Sequence, residues 1–228
     1  MNIEELENKH INKDCVILTC GPSLKEYSKK KILEFCNNKI VICVKEAIIE
    51  YEDIADYFLY NGCRERPYYI TKNIIKIYSA SKNQPKTPCD IFLKENISEF
   101  QPEKQILCKQ NFDDYNFKNN KLRPWGPGIM YESGFYLALY MGIKNVYTIG
   151  WDLIDTTNTY KITHFFDDDN SNKYKESGHW NNRNWLGEME MVNRNIPYMY
   201  EYFKSQNMLI HVVGEQSFVN RDIPRIFI

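Results

Sequence analysis

The residues Cys15-Val16-Ile17-Leu18-Thr19-Cys20-Gly21-Pro22-Ser23-Leu24 limit what this chain can fold into more than any other stretch. A short apolar run that stops at Gly-Pro-Ser reads as a buried strand entering a tight turn. Ile32, Leu33 and Phe35 then follow at helical spacing, so the turn joins a first strand to a first helix. In an open parallel sheet, ligands bind beyond the carboxyl ends of the strands, where such a turn sits. Gly21 allows close backbone approach, and Ser23 can offer its hydroxyl and main-chain N–H groups to an anion. Gly-Pro-Ser alone serves any strand-to-helix connection equally well, so the rest of the chain has to decide.

Further strands follow in order. Ile40-Val41-Ile42-Cys43-Val44 closes at Lys45, Asp56-Tyr57-Phe58-Leu59-Tyr60 closes at Asn61-Gly62, and Ile74-Ile75-Lys76-Ile77-Tyr78 is a fourth. Helical patterns between the first strands argue for βαβ units and a parallel sheet. Residues 80–125 read poorly: they hold Pro85, Pro88 and Pro102, a strand candidate at Gln105-Ile106-Leu107-Cys108, and a polar tract from Asn111 to Asn120. Polar insertions of this length are surface loops or lids. Order returns at Gly128, which opens a buried helix over Ile129 to Met141 that stops at Gly142, a good C-cap. Asn145-Val146-Tyr147-Thr148-Ile149-Gly150 is a strand ending at Trp151-Asp152, and a polar loop runs from Asp155 to Trp185. Glu188 to Lys204 is the last long helix, which Pro197 should start, kink or interrupt. Leu209-Ile210-His211-Val212-Val213 is the final strand, and no linker divides the chain.

With 228 residues, one large domain is the simpler expectation. A net charge of −1 argues against a nucleic-acid partner bound by phosphate neutralisation. The seven cysteines are an odd number, contain no Cys-x-x-Cys pair and fall partly in apolar runs, as buried reduced thiols in a reducing compartment do. The acidic start, Met1-Asn2-Ile3-Glu4-Glu5-Leu6-Glu7, is not a secretory signal, and no run is long enough to cross a bilayer. The expectation is a cytoplasmic protein, with room for peripheral contact at the inner face of the membrane.

The residues at the strand ends form a consistent set: Gly21, Pro22 and Ser23, then Lys45, Asn61 and Asp152, and after the last strand Gly214 and Ser217. A parallel sheet puts all of them on one edge, around one crevice. The expected fold is therefore α/β: a single Rossmann-like domain with a mostly parallel sheet flanked by helices, plus a mobile lid region.

The strand before Gly-Pro-Ser-Leu, the helix that Gly128 opens and that ends in Ala138-Leu139-Tyr140-Met141-Gly142, and Asn145-Val146-Tyr147-Thr148-Ile149-Gly150-Trp151-Asp152 together resemble the bacterial lipooligosaccharide sialyltransferases of glycosyltransferase family 42. They are also similar to a related family of uncharacterised proteins that includes flagellin-glycosylation factors and an archaeal pterin pyrophosphokinase. The resemblance implies one nucleotide-sugar-binding domain over residues 1–228, with lid or insertion segments around 80–125 and 155–187. It implies that Gly21, Pro22 and Ser23 contact a cytidine nucleotide. An asparagine of the family is replaced by Cys20 here and another by Lys45, while Asn61 matches a third. Asp152 matches the aspartate after the glycine, Tyr160 a phosphate-binding tyrosine, and Gly178-His179 a Gly-His pair whose imidazole is the general base; Ile154 stands where the family has a second tyrosine.

For transfer from a nucleotide sugar, the leaving phosphate has to be stabilised and the acceptor hydroxyl deprotonated. Tyr160, Lys45 and N–H groups near Ser23 suit the first need, and His179 the second. Arg64, His164 and Trp180 are candidate substrate contacts. His211 reads as a satisfied core residue and His10 as an idle one. Asp167-Asp168-Asp169 invites a metal, but the related sialyltransferases use none, so no cofactor or metal is expected. The expected function is transfer of a sialic-acid-like or other CMP-linked sugar to a surface glycan or lipid-linked glycan acceptor. The alternatives are a nucleotide-dependent pyrophosphokinase and a non-catalytic nucleotide or glycan binder. The family also implies a homo-oligomer.

Overall fold

A computed structural model describes residues 1–61, 67–80, 82–96, 112–118, 123–124, 128–153 and 185–228. Among the described residues, nine strands form one sheet: β1 (Asp14–Leu18), β2 (Ile40–Val44), β3 (Tyr57–Tyr60), β4 (Ile75–Ala80), β5 (Ile91–Asn96), β6 (Arg123–Pro124), β7 (Asn145–Ile149), β8 (Leu209–Val213) and β9 (Arg225–Ile226). Every pairing is parallel, in the order β6-β5-β4-β3-β2-β1-β7-β8-β9. The chain thus steps outward from β1 to β6, then returns to the other side of β1 with β7. The topological switch point lies between β1 and β7, with Leu18 level with Ile149.

Side chains alternate between two cores. Cys15 and Ile17 of β1, Ile42 and Val44 of β2, and Tyr57 and Leu59 of β3 face one. Val16, Leu18, Val41, Cys43, Phe58 and Tyr60 face the other. Burial on both faces is why these strands read as continuous apolar runs rather than alternating ones. The first face is covered by α3 (Phe135–Tyr140) and α4 (Trp185–Ser205), through Phe135, Tyr136, Val192, Ile196 and Phe203. The second is covered by α1 (Lys29–Cys36) and α2 (Ala47–Tyr51), through Ile32, Cys36, Ala47 and Ile48. Each fully buried Leu or Ile contributes about 2 kcal/mol relative to exposure, so the three-layer stack fixes the strand register and with it the loops at the carboxyl edge.

A π turn over Met130–Gly134 leads into α3, and Gly142, just past the helix end, takes the left-handed φ of +78 that the glycine stop requires. β5 lies within the stretch read as an insertion, so residues 91–96 belong to the sheet. The strand candidate at Gln105–Cys108 lies outside the described residues. Helix α4 continues past Pro197 rather than starting or ending there. Proline has no N–H for the carbonyl four residues back, and that carbonyl, Asn193 O, instead accepts from Asn220 Nδ2 at 3.2 Å. Among the described residues, no helix is long and apolar enough to cross a membrane.

Candidate functional site

The ladder between β1 and β7 continues past both strands, with Thr19 N donating to Ile149 O at 2.9 Å and Gly21 N to Gly150 O at 2.8 Å. This carries the Gly-Pro-Ser turn directly onto the end of β7. Pro22–Lys25 forms a single 3-10 turn, and within it Ser23 N donates to Asp152 Oδ2 at 2.7 Å. Ser217, 1% exposed, reaches the same place from the end of β8: its Oγ donates to Trp151 O at 2.7 Å and accepts from Val219 N. Three of the residues picked from strand ends therefore meet: Ser23, Asp152 and Ser217.

The Asp152 carboxyl is half-buried, and burial, the largest influence on it, raises its pKa above the ordinary aspartate value. The Ser23 N–H works in the opposite direction by favouring the charged form. Asp152 Oδ1 and Ser23 Oγ are buried with no hydrogen-bond partner among the described residues. Orphaned buried polar atoms at a sheet's carboxyl edge are what a ligand's own polar groups complete. The Ser23 N–H expected to meet an anion is committed to Asp152 instead.

On the other side of β1, the Cys20 thiol is already engaged by the protein. It donates to Val44 O at 3.3 Å and lies 3.6 Å from Glu46 Oε2. Burial, aided by the Glu46 charge, pushes its pKa up to about 12, so it stays protonated and unreactive. Glu46 is held in turn by the Tyr68 hydroxyl at 3.1 Å. Lys45 follows β2 in the left-handed region at φ +51, and no carboxylate among the described residues pairs with its ammonium. Asn61 follows β3 with its Oδ1 buried and without a partner among the described residues. Gly128, at φ +149, opens the helical segment, where Tyr131 N donates to its carbonyl at 2.9 Å. No hydrogen bond among the described residues joins Gly128 to Ser23 or Asp152.

Other residues that shape the site carry no local signal. Glu26 accepts from Glu215 N at 2.8 Å and Gln216 N at 3.0 Å, tying the β8 loop to the Gly-Pro-Ser turn. Arg225 donates to Gly214 O, Ser217 O and Val219 O, and so fixes the loop that presents Ser217. Tyr131 accepts from Trp151 Nε1 at 2.9 Å, docking the π turn against the end of β7. Only Gly214, at φ +98 and packed on Glu26, could have hinted at the first of these contacts.

The candidates His179, Tyr160, Arg64, His164 and Trp180 lie outside the described residues, as do Ile154 and Asp167-Asp168-Asp169. Of the remaining histidines, His10 is not idle, because its Nε2 lies 2.7 Å from the Tyr57 hydroxyl. His211 stacks on Tyr147 in the sheet, but its Nδ1 is buried without a partner among the described residues, so it is a core residue only partly satisfied.

No protein-family model matches the sequence, and no curated protein does. Among solved structures, the chain is similar to a variant of the sialyltransferase Cst-II in complex with CMP, at 14% identity and a TM-score of 0.51, over 94% of this chain and 86% of that one. CstII from Campylobacter jejuni in complex with the substrate analogue cytidine-5'-monophosphate is also similar, with 14% identity and a TM-score of 0.45, over 95% and 85% of the two chains. At this identity the likeness is one of fold: a parallel α/β sheet wound outward on both sides of β1.

Proposed function

We propose that this protein is a glycosyltransferase that takes a CMP-linked sugar, of sialic-acid type or a related one, and passes it to a glycan acceptor. The observation that carries the reading is the meeting of Ser23, Asp152 and Ser217 at the switch point between β1 and β7, with Asp152 Oδ1 and Ser23 Oγ left without partners among the described residues. Open α/β sheets bind nucleotides at this place, and the similar Cst-II structure is a complex with CMP. In this reading Gly21, Pro22, Ser23, Asp152 and Ser217 hold the nucleotide, and Cys20 shapes the turn beside it. Lys45 and Tyr160 stabilise the phosphate as the bond from the sugar to its oxygen breaks. His179 takes the proton from the acceptor hydroxyl as that oxygen bonds to the sugar carbon. Lys45, Asn61, Gly128, Arg64, His164 and Trp180 line the remainder of the donor and acceptor path, and no metal takes part.

Thermal-shift titration with cytidine, uridine and adenosine nucleotides, with and without magnesium, tests the donor class. Stabilisation by a cytidine nucleotide without metal supports the proposal, whereas a preference for ATP with magnesium turns it toward a pyrophosphokinase. His179→Ala should abolish sugar transfer while keeping nucleotide binding. Undiminished transfer by that variant removes His179 as the base.

A further inference from the structure

Backbone N–H groups at two places on the carboxyl edge, one after β1 and one after β8, are of the kind that elsewhere hold a phosphate. In this chain both already carry a carboxylate of the protein. Ser23 N donates to Asp152 Oδ2, and Glu215 N and Gln216 N donate to Glu26. A phosphate brought to either place would meet a negative charge instead of a free donor. The atoms on this side without a partner among the described residues are Asp152 Oδ1, an acceptor, and Ser23 Oγ, in a residue 2% exposed. A buried acceptor beside a hydroxyl is completed by a ligand group that donates, such as a sugar hydroxyl or an amine.

The positive charge lies across β1. Lys45 follows β2, and its charge acts on the neighbouring Cys20 thiol. β2 and β7 flank β1, so the two strand ends lie about 10 Å apart at a strand spacing near 4.8 Å. Beyond Lys45, just after β3, stands Asn61 Oδ1, an acceptor without a partner among the described residues. Along the edge the order is therefore acceptor with hydroxyl, then cation, then acceptor.

We propose that the crevice is polarised across β1 in that order, an inference resting on the reading of the site as one for a nucleotide-activated donor. The nucleoside lies on the Asp152 side, where its ribose hydroxyls donate to Oδ1 and bond with Ser23 Oγ. The phosphate points across β1 to Lys45 rather than into the Gly-Pro-Ser turn, and the transferred sugar extends over Asn61.

Calorimetric titration with cytidine, uridine and adenosine, and with their monophosphates, tests this on the full chain and two variants. Lys45→Asn suits the left-handed backbone and should cost the preferred monophosphate about tenfold while leaving its nucleoside unchanged. Asp152→Asn keeps the volume and an oxygen for Ser23 N but replaces the free acceptor with a donor. It should weaken nucleoside and monophosphate by the same factor, about tenfold. Should Asp152→Asn not fold, Ser23→Ala replaces it, with the same equal weakening expected. Tighter monophosphate binding by Asp152→Asn places the phosphate at the turn and overturns the polarity. An unchanged preference for the monophosphate in Lys45→Asn overturns it as well, as does equal wild-type affinity for nucleoside and monophosphate. If the wild type binds none of the six, the donor reading itself fails and the polarity falls with it.

Discussion

Gly21 lies so tightly against Asp152 that a Cβ at position 21 would stand 2.7 Å from the aspartate's own Cβ and would also strike its Oδ2 and the Gly150 carbonyl. The residues are brought together by the backbone bond from Gly21 N to Gly150 O, one step beyond the paired ends of β1 and β7. This closeness is what lets the next N–H of the turn, that of Ser23, reach the carboxylate. The glycine is required here by approach distance.

Gly21→Ala should therefore act as an overpacking substitution. The obstructing atoms include backbone, which cannot rotate away, so the expected cost is about 3 kcal/mol. Urea denaturation measures it. A variant within about 0.5 kcal/mol of wild type would show that the turn and the end of β7 separate freely.

Asp152 should trade stability for function. Burial raises its folded pKa above the unfolded value, so its contribution to stability is present below the ordinary aspartate range and is lost as pH rises through the folded pKa. Asp152→Asn keeps an acceptor for Ser23 N and removes the charge. Its melting temperature at pH 7 should exceed that of wild type by the equivalent of about 1 kcal/mol, with the gain gone below about pH 3.5. Scanning calorimetry at both pH values checks this. A variant less stable at pH 7 would mean that the charge holds the turn in place.

Six of the nine strands could be read from the sequence because burial on both faces makes each a run of apolar residues. β5 was obscured because Ile91-Phe92-Leu93 gives way at once to Lys94-Glu95-Asn96, and β6 and β9 span two residues each, too few for any period. The meeting of Ser23, Asp152 and Ser217 was legible for a topological reason, since parallel strands deliver all their carboxyl ends to one edge. What each atom does there was not. Ser23 N is claimed by a residue 129 positions away, and Glu26 reaches a loop 189 positions away. Those partners follow from register, which no local pattern encodes.

His211 should make the fold sensitive to acid. Burial lowers its pKa below the ordinary 6.5, with Asp14 opposing, and burial lowers that of His10 too. A lowered folded pKa means that stability is fully present above the unfolded value and is lost as pH falls through the folded one. His211→Phe keeps the ring stack on Tyr147, at 5.1 Å between centroids, while removing the titration and the unpartnered Nδ1. Its melting temperature should fall less between pH 7 and pH 5 than that of wild type. An unaltered slope would assign the acid sensitivity to other groups, His10 first among them.

The accommodation of Pro197 gives a prediction that only a pair of substitutions can test. Asn220 Nδ2 serves Asn193 O, the carbonyl that proline leaves without its helical donor. Asn220→Ala should cost about 1 kcal/mol, the usual worth of one such bond, although it also removes the Oδ1 contact with Asp222 N. Pro197→Ala restores an N–H to the helix and makes Asn220 redundant for Asn193, while leaving the Asp222 contact as it was. In that background Asn220→Ala should cost less, by about 0.5–1 kcal/mol. Equal penalties in the two backgrounds would mean that Asn193 O gains nothing from Asn220, and that α4 carries its proline by packing on the sheet alone.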